Sequence, residues 1–149
     1  MISAVSSQVV SNVFSANYKS YKIVTELSFS AAQDCYMRLR VGGTSATGAN
    51  YQFSHIRGFS TTLQTNSASG ETGWQMFYYS SIGAAWNEMI LHNTFEAAPS
   101  YYTSTWRTNQ PAIGLLAGTH SLSTSYDSFE IYATGGTLTG SIKTYGLNQ

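Results

Sequence analysis

The sequence predicts an all-β domain, a sandwich or jelly roll of about eight short antiparallel strands. Three observations carry that prediction. Apolar and polar residues alternate at period two in several runs, the pattern of half-buried strands. Turn-forming Gly, Asn, Asp and Pro clusters separate those runs at roughly 8–15-residue spacing. No stretch holds the 3.6-residue period of a long helix.

The elements follow in order. In YKIVTELSFS, Tyr21, Ile23, Thr25, Leu27 and Phe29 share one side, and Lys22, Val24, Glu26 and Ser28 the other. AAQD then turns the chain at Asp34. In CYMRLRV, Cys35, Met37, Leu39 and Val41 face inward while Tyr36, Arg38 and Arg40 face out. Together these runs predict an antiparallel hairpin over residues 21–41, followed by the loop VGGTSATGAN. YQFSHIRGFSTTLQT reads as a strand of weaker pattern and NSASGETG as a plain loop. WQMFYYSSIG alternates at Trp74, Met76 and Tyr78. AWNEMILHNTF admits a helix, but its alternation through Trp86, Glu88, Ile90 and His92 predicts a strand. EAAPS turns at Pro99, YYTSTWRT is rich in strand-favouring residues, and NQP turns again. In AIGLLAGTHSLST, Gly114 and Gly118 break any long helix, so an irregular segment entering a strand near His120 is expected. SFEIYA and TLTGSIKTYGL predict a final hairpin about Gly135 and Gly136, with Phe129, Ile131, Leu138 and Ile142 in the core. Residues 1–13, MISAVSSQVVSNV, are Ser-rich and are expected to be an N-terminal arm or a frayed start. Residues 14–149 form the single sandwich domain.

Composition bounds the function. The chain has 149 residues, the size of one domain. Only 9% are Asp, Glu, Lys or Arg, against about 25% in a typical soluble domain. With a net charge of zero there is no long-range pull on a phosphate backbone, so nucleic acid is not an expected partner. Cys35 is the single cysteine, so no internal disulfide can form. Its apolar register predicts a buried, inert thiol. MISAVSSQVV lacks the basic start and apolar run of a signal peptide. No apolar stretch approaches the ~20 residues of a membrane span, so membrane insertion is not expected.

Catalytic chemistry finds little support. His55, His92 and His120 are far apart and lack metal-ligand spacing, so no metal is expected. VGGTSATG lacks the lysine of a phosphate loop, no Gly-x-Ser-x-Gly elbow occurs, and no cofactor is implied. A glycosidase needs two carboxylates across a cleft. Glu88 and Glu130 are the candidate pair because both lie in strands. The sequence reads as non-enzymatic. Its aromatic content, 14%, is the remaining signal. Neighbouring tyrosines on a strand point to opposite faces, so one of each pair lies outside the core. Tyr79, Trp86, Tyr101, Tyr102 and Trp106 are therefore the candidate surface or interface aromatics. They would pack between subunits, stack on carbohydrate or dock a protein.

SYDSFEIYATGGTLTGSIKTYGL resembles the C-terminal hairpin of a group of tailed-bacteriophage virion-surface modules. The match lies on Phe129, Ile131, Tyr132, Gly135, Gly136, Thr137, Thr139, Gly140, Ile142, Tyr145, Gly146 and Leu147. VFSANYKSYKIVTELSFS, YMRLRVGGTSATGANY and EMILHNTFEAA resemble earlier strands of the same modules, so the likeness spans roughly residues 10–147. The resemblance implies an antiparallel sandwich of jelly-roll type, a homotrimer on the virion surface, made in the bacterial cytoplasm. It carries no catalytic residues over. No heptad or repetitive shaft precedes Ser15, which favours a capsid decoration (cement or head fibre) protein bound to the major capsid protein through the N-terminal arm. The alternative is a tail-fibre tip, joined to other fibre proteins, that attaches to host surface glycan.

Overall fold

Period-two alternation gives each strand one apolar face, and the chain buries those faces by stacking two sheets. The computed structural model describes residues 1–80, 83–109 and 112–148, in which every regular element is a strand. These are β1 (Ile2–Val5), β2 (Ser7–Val10), β3 (Ser20–Phe29), β4 (Gln33–Val41), β5 (Thr44–Ser45), β6 (Tyr51–Phe59), β7 (Thr62–Glu71), β8 (Trp74–Ser80), β9 (Gly83–His92), β10 (Ser100–Thr108), β11 (Ala112–His120), β12 (Ser128–Ala133) and β13 (Leu138–Leu147). No helix among them is long and apolar enough to cross a membrane.

The larger sheet has eight strands in the order β1-β13-β3-β9-β10-β11-β6-β7. The smaller runs β2-β12-β4-β5, with β8 also paired to β4. The all-β antiparallel sandwich of jelly-roll type is therefore as expected, with thirteen strands in place of about eight. The surplus is mostly made of short edge strands and of segments whose sequence does not alternate in the usual sense.

Neither expected hairpin forms. β3 lies in the large sheet beside β13 and β9, while β4 lies in the small sheet beside β12. β12 and β13 divide between the sheets in the same way. Each link is an arch between layers, and the two arches lie against one another. Ser30 N–H donates to Thr137 O at 3.0 Å, Thr137 N–H to Ser30 Oγ at 2.8 Å, and Thr134 N–H to Asp34 O at 3.1 Å. Gly136 turns the second arch at φ 65°, a backbone state that L side chains avoid. Alternation fixes which side of a strand is buried, and both a hairpin and an arch satisfy it.

Residues 1–13 are not a free arm. β1 extends the large sheet beside β13, and β2 extends the small sheet beside β12. Ile2 and Phe14 are buried, and Val13 N–H and Phe14 N–H both donate to Asp127 O. The segment read as a loop, NSASGETG, falls largely in β7, which pairs with β6 from Thr62 to Glu71. The expected turn at 109–111 lies partly outside the described residues.

β11 is a regular strand where an irregular segment was expected. Its inward positions are Ala112, Gly114, Leu116, Gly118 and His120. A Cβ on Gly114 would run into the Trp106 ring, and one on Gly118 into Tyr102 and the Gln52 carbonyl. These glycines make room for rings on the neighbouring strand. Gly118→Ala is expected to destabilise the protein by about 1–3 kcal/mol through this overpacking. Urea unfolding reads it as a lower midpoint, and an unmoved midpoint would show that β11 and β6 can part to admit a methyl.

The core is aromatic and cross-braced. Trp74, Tyr51, Tyr102, Phe77, Phe129 and Met76 are buried. Polar groups tie one sheet to the other, as buried donors and acceptors must find partners. Asn87 Nδ2 donates across the layers to Met76 O at 3.0 Å and, within the large sheet, to Ser104 Oγ at 2.6 Å. Tyr102 OH donates to Gln75 O at 3.1 Å, and Trp74 Nε1 to Thr119 O at 3.0 Å. Cys35 sits fully buried, and burial pushes its thiol pKa up, as its register foretold.

Candidate functional site

The outward face of the large sheet is uncovered, and the strand registers set its side chains in rows crossing the strands. One row runs Ser141, Glu26, Trp86, Arg107, Ile113, Gly58, Leu63. The next runs Lys143, Val24, Glu88, Thr105, Leu115, Ile56, Thr65. At the other end of the strands, one row runs His92, Tyr101, Thr119, Gln52, Ser69 and its neighbour Ile90, Thr103, Ala117, Ser54, Ser67. Arg107 lies six residue steps along β10 from Tyr101, a span of roughly 20 Å.

The face therefore carries two grooves. The first, of about 720 Å³, is lined by both of the first pair of rows. Its β11–β7 half is aliphatic. Ile113 is 66% exposed, Leu115 59%, Ile56 49% and Leu63 71%. Its other half is aromatic and charged, with Arg107 stacked over the Trp86 ring at 4.6 Å and Lys22 bonded to Glu88 at 2.8 Å. The second groove, of about 610 Å³, lies around Tyr101, Gln52, Ser54, Ser67, Ser69, Thr103 and Thr119. No charged residue lines it. Its floor is Gly118, beneath which the Tyr102 ring sits in the core.

The five expected surface aromatics divide. Trp86 and Tyr101 do face outward, one in each groove. Tyr102 is 1% exposed and Trp106 4%. Both face the core, because β10 points Tyr102, Ser104, Trp106 and Thr108 inward and Tyr101, Thr103, Thr105 and Arg107 outward. The side chain of Tyr79, in β8, lies outside the described residues.

The carboxylate pair does not assemble. Glu88 is on the outer face of the large sheet and Glu130 on the outer face of the small one, where it pairs with Arg40 at 3.7 Å and accepts from Ser45 Oγ at 2.7 Å. The sandwich separates them. Among the described residues, no group of His, Cys, Asp and Glu could hold a metal ion. His55 is buried with its Nδ1 3.1 Å from Gln75 Oε1, and burial lowers its pKa.

Sequence reasoning missed the groove walls. Gln52, Ser67, Thr103 and Thr119 are ordinary polar strand residues whose convergence depends on register. Ile113 and Leu115 lie in the stretch expected to be irregular, where no parity was assigned to them. The signal that marks them as outward is the small partner set, Ala112 and Gly114, on the opposite parity.

No family model matches this chain, and no curated protein matches it. Among solved structures, CG-16, a homodimeric agglutinin from chicken liver, is similar at 12% identity and TM-score 0.41, over 93% of this chain and 99% of that one. A double mutant of congerin II is similar at 11% identity and TM-score 0.39, over 93% and 99%. These findings correct the expectation of a bacteriophage capsid decoration protein, and the tail-fibre alternative with it. The matched structures are named as an agglutinin and a congerin, and no family match supports the virion reading.

Proposed function

We propose that this protein is a non-catalytic carbohydrate-binding protein that holds a neutral sugar in the Tyr101 groove. The observation that carries the reading is Tyr101 itself, 44% exposed at the wall of an uncharged, hydroxyl-lined groove. A pyranose ring offers a flat face of C–H groups and a rim of hydroxyls. An exposed aromatic ring suits the face, since its apolar body has no other cover. Gln52 and the Ser and Thr side chains suit the rim, because each can both donate and accept. Absence of charge fits a neutral ligand, whose desolvation is not offset by an ion pair. All these side chains stand on paired strands, which hold a site more rigidly than loops do. No carboxylate lines the groove, so the site has no general acid or nucleophile for glycoside cleavage.

Calorimetric titration with a panel of neutral mono- and oligosaccharides tests the reading. At least one is expected to bind. Tyr101→Ala should weaken that binding ten-fold or more, with the melting temperature unchanged, while Tyr101→Phe keeps most of it. Equal affinity in Tyr101→Ala, or no binding across the panel, would overturn the reading.

A further inference from the structure

We infer that the aliphatic end of this same face is a two-fold interface with a second copy of the chain. The inference does not rest on the sugar reading, since it concerns a different groove with different chemistry. Ile56, Leu63, Ile113 and Leu115 are neighbours across three strands and stand 49–71% exposed. Single exposed aliphatics are ordinary, whereas a contiguous group marks a contact surface.

The pattern of the rows identifies the partner. A two-fold axis lying in the face and crossing the strands between the two rows sets each strand against its own reversed copy. Leu115 then meets Ile113 of the second copy, and Thr65 meets Leu63 of the second copy. Ile56 meets Gly58 of the second copy, so the β11–β7 half sets uncharged side chains together throughout, with the Leu115–Ile113 contacts its aliphatic centre. On the charged half, Lys143 comes one strand from Glu26 of the second copy. Glu26 and Lys143 form no salt bridge within the chain among the described residues. Glu88 comes one strand from both Arg107 and Glu26 of the second copy, and its own chain's Lys22, bonded to it at 2.8 Å, offsets the like-charge approach, so Lys143–Glu26 and Glu88–Arg107 are the favourable pairs.

Size agrees. From β13 to β7 the two rows cover roughly 29 Å by 14 Å, and side-chain relief brings this to roughly 500 Å² per copy. The pair then buries roughly 1,000 Å², the lower limit of specific interfaces. Association should accordingly be weak and concentration-dependent. A two-fold pair also replaces the trimer that the sequence resemblance implies. The axis sends the two Tyr101 grooves to opposite ends of the pair, each clear of the other copy's strands. A two-site assembly of this kind gains avidity on a multivalent ligand without any new contact.

Sedimentation velocity over a concentration series, on the full chain, tests this. The wild type is expected to move from the 16.2 kDa monomer towards twice that mass. Leu115→Glu should stay monomeric throughout, with an unchanged circular dichroism spectrum and melting temperature, since the side chain already faces water. Lys143→Glu should shift the midpoint to higher concentration, and adding Glu26→Lys should restore it. Saccharide affinity per chain should be the same in Leu115→Glu, so failure of the pair and failure of the sugar site read out separately. A wild type that remains monomeric, an oligomer unmoved by Leu115→Glu, or a mass of three copies would each overturn the two-fold interface. So would a monomer that takes up an apolar fluorescent probe and loses it on Leu115→Glu, which would assign the groove to a small apolar ligand.

Discussion

Trp74→Ala is expected to cost about 3–5 kcal/mol of folding stability. That is a third or more of the ~5–15 kcal/mol that holds an ordinary domain together. Trp74 is fully buried. Its ring meets Tyr51 edge-on at 5.4 Å, Tyr102 at 4.9 Å and His120 at 6.3 Å. Its Nε1–H donates to Thr119 O at 3.0 Å, which joins β8 of the small sheet to β11 of the large one. Alanine removes the ring, leaves a cavity that paired strands cannot close, and deletes the hydrogen bond to Thr119 O. Trp74→Phe should fall between, keeping an aromatic body and losing the hydrogen bond. Trp86→Ala is the control. That side chain faces outward, so its loss should cost about 1 kcal/mol or less. Urea unfolding of the three variants orders them, and equal midpoints for Trp74→Ala and Trp86→Ala would show that the aromatic cluster does not brace the two sheets.

The contrast between these tryptophans marks what the sequence can carry. Strands with large residues on one parity and charges on the other, such as β3 and β4, are legible because burial and solvation agree at each position. YYTSTWRT alternates as well, but its parity is ambiguous to the eye because Tyr101 and Tyr102 adjoin. Arg107 was the readable clue, since a charge beside Trp106 sends Trp106 inward. β11 inverts the usual rule, with glycine and alanine inside and isoleucine and leucine outside. Its glycines look like breakers until the Trp106 and Tyr102 rings are placed above them. β7 has no apolar parity at all and is held by its pairing to β6, information that no local window contains. The arches were misread as hairpins for a related reason. Local pattern specifies a face, whereas the choice of partner strand belongs to the packing of the whole chain. The Tyr101 groove follows the same logic, as four strands contribute one or two unremarkable polar side chains each.

Stability is expected to fall as pH drops from about 6.5 to about 4, and His120 supplies the reason. The ring is fully buried, with Tyr51 at 4.3 Å and Tyr126 at 5.2 Å. Its Nδ1 lies 3.4 Å from the Tyr126 hydroxyl, and its Nε2 has no hydrogen-bond partner among the described residues. No carboxylate is bonded to it to stabilise a charge, so burial lowers its pKa from 6.5 to about 4. The unfolded chain takes up a proton at pH 6.5 that the folded chain refuses until about pH 4. Below the unfolded value the unfolded state therefore binds more protons, and acid favours it. The contribution is complete above pH 6.5 and fades through the window, and the loss amounts to on the order of 3 kcal/mol by its lower end. His55, whose pKa burial also lowers, acts in the same direction. Asp127, held below its ordinary value by Ser128 and the Gly42 N–H, loses its contribution at still lower pH and so does not mask the window. Urea midpoints measured from pH 7.5 to 4 should slope downward in the wild type and flatten in His120→Phe, which keeps an aromatic body without the titrating nitrogen. A flat wild-type profile, or the same slope in His120→Phe, would remove His120 as the cause and place the acid sensitivity outside the aromatic core.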